Sequence, residues 1–263
     1  MRPATVAVYR FARHADDVAD EGEAPADERL AELSSLSADL QCARAGMEPA
    51  HPLVAALVPH VQRHQLGWDR FEALLSAFRQ DVTLHRYFTV AQLEDYCMRS
   101  AQPVGHLVLG IAGRLDAENR SLSDQVCTAL QWINFLQDIA IDARRGRFYV
   151  PEETLLRCGS SHAAIAEATE RGCADAALRT AVAVEAERAR LWIAAGAPLA
   201  RRVGGRLGWE LRAVTAGGLR ILDRLAASQY DAFLKRPRLS GSDALPLLGG
   251  ILRLAWMRRP AAS

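Results

Sequence analysis

The stretch Asn134-Phe135-Leu136-Gln137-Asp138-Ile139-Ala140-Ile141-Asp142 lies inside the apolar run from Val126 to Ile141 and repeats its polar groups at four-residue steps. At about 100° per residue, Gln131, Asn134, Asp138 and Asp142 fall on one face of a helix, while Trp132, Ile133, Leu136 and Ile139 spread over the rest. The pattern predicts a buried helix with one acidic stripe. Carboxylates four residues apart repel, and an uncompensated charge on an apolar helix costs several kcal/mol. Such a stripe calls for cations.

A second stripe lies near the start of the chain. Tyr9, Arg13, Asp16 and Asp20 share one face by the same arithmetic, with Asp17 and Glu21 beside them. Taken alone, acidic residues before a loop are commonly just solvated. Together the two stripes point to hard divalent cations, because Mg2+ prefers oxygen ligands and is usually shared between a few carboxylates and substrate phosphates. Arg13, Arg144, Arg145 and Arg147 suit phosphate oxygens.

The surrounding chain predicts an all-α fold. With 263 residues, 50% hydrophobic and 24% charged, it can bury one large core, and a single domain over residues 1–263 is expected. A net charge of +1, with no basic patch interleaved with aromatics, argues against nucleic acid as a partner. The five cysteines make no CxxC or metal-ligand spacing, and three sit in apolar helical surroundings, as in a reducing cytosol. No run reaches a membrane span and no signal-peptide layout opens the chain, so a cytoplasmic protein is expected.

Helical spacing runs from Ala4 to about Glu21, then the loop Gly22-Glu23-Ala24-Pro25, then Arg29 to Arg44 with Leu30, Leu33, Leu36 and Leu40. His51 to His64 and Trp68 to Asp81 follow, and one longer helix, capped by Thr89 with Gln92 three residues on, is expected to run toward Gly113. Its small residues (Ser100, Ala101, Gly105, Gly110, Gly113) imply a close neighbour. Beyond Asp142 come the basic turn Arg144–Arg147 and an extended Phe148-Tyr149-Val150-Pro151. Then come alanine-rich helices over Ala163–Ala195 with an exposed face of Glu185, Glu187, Arg188 and Arg190, a Gly/Arg loop from Gly196 to Gly208, and a helix from Trp209, read as core, to Tyr230. About eight to ten helices are expected in all. Lys235-Arg236-Pro237-Arg238 reads first as a solvated basic end and second as a segment that helps cover diphosphate. The tail, about residues 240–263, is apolar from Leu245 to Trp256, carries Arg253 and is followed by Arg258 and Arg259; it reads either as a capping helix or as a membrane-interface helix in peripheral contact with the inner face of the membrane.

At its two acidic motifs the sequence resembles the squalene/phytoene synthase family. The motifs are Tyr9-Arg10-Phe11-Ala12-Arg13-His14-Ala15-Asp16-Asp17-Val18-Ala19-Asp20 and the opening stretch, in the family's order, and the resemblance extends from Val8 to about Arg238. It implies a class I isoprenoid synthase, a terpenoid synthase-like helical bundle with a central cavity. It also implies Mg2+ at Asp16, Asp20, Asn134, Asp138 and Asp142, and diphosphate contacts from Tyr9, Arg13, Tyr96, Gln131 and Tyr149. Asp16, Asp20, Asp138, Asp142 and Tyr96 would be the catalytic set, with the Tyr96–Gly105 stretch walling an isoprenoid tunnel and Phe11, Trp132 and Phe135 shielding a carbocation. The family's additional segment ahead of the first motif helps close the site over diphosphate; here eight residues precede Tyr9.

Within the family, the Phe-Ala-Arg wording, Phe78-Arg79-Gln80-Asp81-Val82 and Gln137, where phytoene and squalene synthases usually have arginine, are most similar to the hydroxysqualene synthases of hopanoid biosynthesis. The implied reaction joins presqualene diphosphate and water to give hydroxysqualene and diphosphate, with hand-over of substrate from a presqualene diphosphate synthase. No NADPH is expected; Gly204-Gly205 and Gly217-Gly218 lack the preceding strand of a dinucleotide site. Ile141 stands where the family usually has an acidic residue, and Gly217-Gly218 where carotenoid-forming members have tyrosine. Two alternatives stay open. One is condensation of two farnesyl diphosphates to presqualene diphosphate, squalene or dehydrosqualene. The other is a non-catalytic relative acting as an assembly factor, against which the intact carboxylates of both stripes argue.

Overall fold

The computed structural model describes residues 1–20 and 24–256. Glu21, the Gly22-Glu23 pair of the expected loop, Arg258 and Arg259 lie outside the described residues, as do the side chains of Arg253 and Trp256. In chain order the helices are α1 (Arg2–Asp20), α2 (Ala26–Arg44), α3 (Pro52–His64), α4 (Trp68–Thr83), α5 (Val90–Ser100), α6 (Gln102–Ile111), α7 (Ala117–Arg144), α8 (Glu152–Arg157), α9 (His162–Arg171), α10 (Ala176–Gly196), α11 (Leu199–Val203), α12 (Gly205–Ala227) and α13 (Ala244–Trp256). Among the described residues there are no strands; one isolated bridge pairs Arg86 with Phe148.

Among the described residues thirteen α-helices stand where eight to ten helices were expected, because the chain breaks where its local chemistry is poor for a helix. Thr89 does cap as read: its Oγ1 accepts from Gln92 N at 3.2 Å, and Gln92 Oε1 accepts from Thr89 N at 3.3 Å. The helix it starts stops at Ser100, however. Pro103 has no N–H and its ring would clash with the carbonyl four residues back, so α6 restarts with proline in its first turn, where the missing donor costs nothing. The Gly/Arg loop likewise contains α11, and α12 begins at Gly205 and ends at Ala227, where Gln229 and Tyr230 turn left-handed.

The helices gather into two compact units, residues 1–85 with 95–120 and residues 86–94 with 121–263. In the first, α1 packs against α2, α3 and α4. Its row Ala4, Val8, Phe11, Ala15 and Ala19 is buried with Leu33, Leu36 and Leu40 of α2, and Phe11 meets Phe71 edge-on at 5.5 Å. The glycine at 110 is explained by a close neighbour, as expected: a Cβ there would lie 2.6 Å from Leu66 Cδ2.

In the second unit, α12 packs on α10. At Gly218 a Cβ would stand 2.9 Å from Leu130, 3.0 Å from Ile193 and 3.1 Å from Ile133, so the missing side chain sets how near α7, α10 and α12 can come. Gly218→Val is therefore expected to destabilise the fold by about 2 kcal/mol, read from urea unfolding; an unchanged midpoint would show that the three helices separate at no cost.

Two residues lie elsewhere than their spacing predicts. Glu185 does not belong to an exposed face: it is fully buried and accepts from Trp132 Nε1 at 2.9 Å, Thr154 Oγ1 at 2.5 Å and Arg188 Nε at 2.9 Å. Helical spacing alone does not place it, and α10 turns that residue inward, toward α8 and α7. Trp209 is not core. It is half exposed, with the Arg212 guanidinium 4.7 Å over its ring, since the first turns of α12 carry this face to solvent.

Past α12 the chain is pinned by two buried carboxylates. Asp231 accepts from Ala174 N, Phe233 N and Leu234 N. Asp243, buried, is held by Arg224, Arg220 and Ser240. The Arg224 hydrogen bonds foremost, with those of Arg220 and Ser240, keep its carboxyl well below the usual range although burial opposes them.

Candidate active site

The first motif lies in the first unit and the second motif in the second. On α1, burial of the Val8, Phe11, Ala15 and Ala19 row turns Arg13, Asp16, Asp17 and Asp20 to the opposite side, where they are exposed or half-buried. Arg13 bridges neighbouring carboxylates within its own helix, at 3.1 Å to Asp16 and 2.7 Å to Asp17. The helix thus offsets part of its own acidic repulsion. His14 Nε2 lies 3.5 Å from Glu32, and Tyr9 is 64% exposed, so its ring is held by no core packing.

Tyr96, in the same unit, is buried and donates its hydroxyl to Asp81 Oδ2 at 2.8 Å. The Phe78–Val82 segment is a polar seam around it. Gln80 accepts from Arg99 at 2.5 Å, Arg79 donates to Glu72 at 2.9 Å, and Glu72 also accepts from Ser37 at 2.6 Å. This seam fixes Tyr96 by a charge-assisted bond and orients its ring.

In the second unit the opening stretch is helical throughout, as expected. Trp132, Ile133, Phe135, Leu136 and Ile139 are buried, and Gln131, Asp138 and Asp142 are half-buried beside the exposed Asn134. At the middle carboxylate of this stripe the chain itself supplies a cation. Arg236 donates to both oxygens of Asp138, from Nε to Oδ1 and from Nη2 to Oδ2 at 3.0 Å. Next to it, Gln137 Nε2 donates to Pro237 O at 2.6 Å. Lys235–Arg238 is therefore no merely solvated end: Arg236 and Pro237 are strapped across α7, while Lys235 and Arg238 remain exposed. The reading of the segment as solvent-facing failed because its partners lie about a hundred residues away in sequence. An arginine within a short basic run carries no local signal of that.

Tyr149 stacks on Phe135 with ring centroids 4.0 Å apart and planes 9° from parallel, and Tyr87 stacks on it from 5.6 Å. Phe135 is thus part of an aromatic stack. Trp132, expected to shield the carbocation, is buried against Trp192 at 4.9 Å and bonded to Glu185.

The donors fit a hard divalent cation, since both stripes offer only oxygen. Among the described residues no three His, Cys, Asp or Glu side chains converge to hold a metal by themselves. Each helix offers a spaced pair, Asp16 with Asp20 and Asp138 with Asp142. Such pairs suit Mg2+ shared with phosphate oxygens better than a metal caged by protein alone.

The helical architecture is that of the class I, terpenoid synthase-like isoprenoid synthases, and it is similar to the crystal structure of squalene synthase HpnC from Alicyclobacillus acidocaldarius (TM-score 0.80, 37% identity, 87% of this chain and 84% of that one). The squalene/phytoene synthase profile matches residues 1–243, and the chain belongs to that family. It is 40% identical over 166 residues to a hydroxysqualene synthase of Zymomonas mobilis, covering 61% of this chain and 53% of that protein. To a presqualene diphosphate synthase of Rhodopseudomonas palustris it is 36% identical over 159 residues, covering 60% and 56%. These matches span about half the length of those relatives.

Proposed function

We propose that the protein is a Mg2+-dependent hydroxysqualene synthase that converts presqualene diphosphate and water to hydroxysqualene and diphosphate. The observation that carries this reading is the oxygen ladder Asn134, Asp138 and Asp142 on a helix that buries Trp132, Ile133, Phe135, Leu136 and Ile139, already holding a guanidinium at its middle carboxylate. Asp16 and Asp20 on α1 with Asn134, Asp138 and Asp142 on α7 would hold Mg2+, and Arg13, Tyr96, Gln131 and Tyr149, with Tyr9, would contact diphosphate. When bound, Mg2+ supplies positive charge to the departing diphosphate.

The chain's own part is electrostatic and steric. Arg13 would exchange its contacts to Asp16 and Asp17 for phosphate oxygens, favouring charge that develops as the C–O bond breaks and its electron pair leaves with diphosphate. The remaining carbocation would be shielded by aromatic faces. Water then adds its oxygen and gives up a proton. Hydroxyl replaces diphosphate with no change in oxidation state, so the reaction needs no NADPH. Gln137 supports this branch, since its neutral amide joins Pro237 where phytoene and squalene synthases usually carry arginine.

Long isoprenoid substrates and products favour work beside a lipid phase, so the same proposal has the protein in the cytoplasm, in peripheral contact with the inner face of the membrane and receiving presqualene diphosphate from its synthase. No helix among the described residues is long and apolar enough to cross a membrane.

Purified protein with Mg2+ is expected to form hydroxysqualene from presqualene diphosphate without NADPH, detected by mass spectrometry. Product from farnesyl diphosphate alone would replace this reading with the condensing one, which the presqualene diphosphate synthase relative keeps in view. Turnover of neither substrate would favour a non-catalytic relative.

A further inference from the structure

Leucines stand exposed at the C-terminal end of the second unit. Leu239 is 46% exposed, and Leu248 and Leu252, one helical turn apart on α13, are 53% and 46% exposed. Both segments are seated on α12, at adjacent residues. A Cβ at Gly250 of α13 would lie 3.3 Å from Ala216 Cβ, and Leu239 Cδ1 lies 3.7 Å from the Cβ position of Gly217. The inner side of α13 is thus already satisfied by α12, and its outer leucines have no role in that packing.

The segment leading to Leu239 is basic at its surface. Lys235 and Arg238 are exposed beside Leu239. From Leu234 onward the sequence holds six basic residues and one acidic, Asp243. That single carboxylate is buried and neutralised by Arg220 and Arg224, so it takes no negative charge to the surface. An apolar strip with the exposed Lys235 and Arg238 beside Leu239 complements a lipid surface of negative charge, with leucines entering the acyl boundary and lysine and arginine at the head groups. At 13 residues α13 is about 20 Å long, short of the roughly 30 Å hydrocarbon core, so it would lie in the interface plane.

We infer that Leu239, Leu248 and Leu252, with Lys235 and Arg238, form a docking surface for anionic phospholipid. The inference deepens the proposed function, in which peripheral membrane contact accompanies an isoprenoid substrate, and names the surface that makes it. The test is co-sedimentation of the full chain with phosphatidylcholine vesicles and with vesicles containing about 30% phosphatidylglycerol. Binding is expected to the anionic vesicles, to weaken in about 0.5 M salt as the charges are screened, and to fall at least tenfold in the double variant Leu248→Glu/Leu252→Glu. Circular dichroism melting of that variant should match the parent, since both side chains point to solvent.

Unchanged binding in the double variant would overturn the assignment of this surface, and absence of binding by the parent would overturn the inference altogether. So would a dimer of the parent by light scattering that the double variant abolishes without any vesicle binding, which would make the strip a contact with a second copy. If the double variant melts early, Lys235→Glu/Arg238→Glu must show the same loss of binding for the inference to stand. Turnover assayed in detergent micelles reports on the chemistry alone, so failure of the catalytic reading and failure of docking are told apart.

Discussion

Asp138→Asn is expected to lower turnover of presqualene diphosphate about a hundredfold or more, the loss typical when one preorganised electrostatic stabiliser is removed. Asparagine keeps the shape and one acceptor for Arg236 while removing the negative charge proposed to hold Mg2+. Asp138→Ala should lose as much activity and in addition free Arg236, costing about 1–2 kcal/mol of stability for the lost charged hydrogen bonds at this half-buried position. Steady-state kinetics against Mg2+ concentration, with circular dichroism melting of each variant, separates the two effects. Full activity in Asp138→Asn at low Mg2+ would remove Asp138 from the metal set, whatever the melting curves show.

Glu185→Ala is expected to destabilise the second unit by about 3–5 kcal/mol, as when one partner of a buried charged network is removed. Three donors converge on this carboxylate. Arg188 reaches partly into solvent and can find water, but Trp132 and Thr154 are buried, so the indole N–H and the hydroxyl would each be left unsatisfied. Glu185→Gln keeps an acceptor and should cost less. Glu187→Ala, at an exposed site 3.8 Å from Arg190, should move the urea midpoint within about 0.5 kcal/mol. Equal effects of Glu185→Ala and Glu187→Ala would contradict the buried network.

The contrast between Glu185 and Glu187 marks what could be read from the chain. Helix type, the leucine row of α2, the Thr89 cap and the two acidic stripes all rest on spacing within three or four residues, and spacing of that kind is written in the sequence because a helix repeats every 3.6 residues. The stripe on α7 was legible for the same reason, with its apolar remainder buried as read. The partition of the chain was not. Residues 86–94 belong with the second unit although both their flanks belong with the first, since a packing choice of this kind depends on contacts between distant segments.

The acidic motifs, the fold class they accompany and the need for positive charge at Asp138 follow from residue order alone. Which positive charge stands there does not: Arg236 reaches Asp138 across 98 positions, and Trp132 reaches Glu185 across 53. Periodicity can say which side of a helix a residue occupies. Only the packed structure, through the turn at Asp231 and the approach of α12 to α7 at Gly218, decides what is brought against that side.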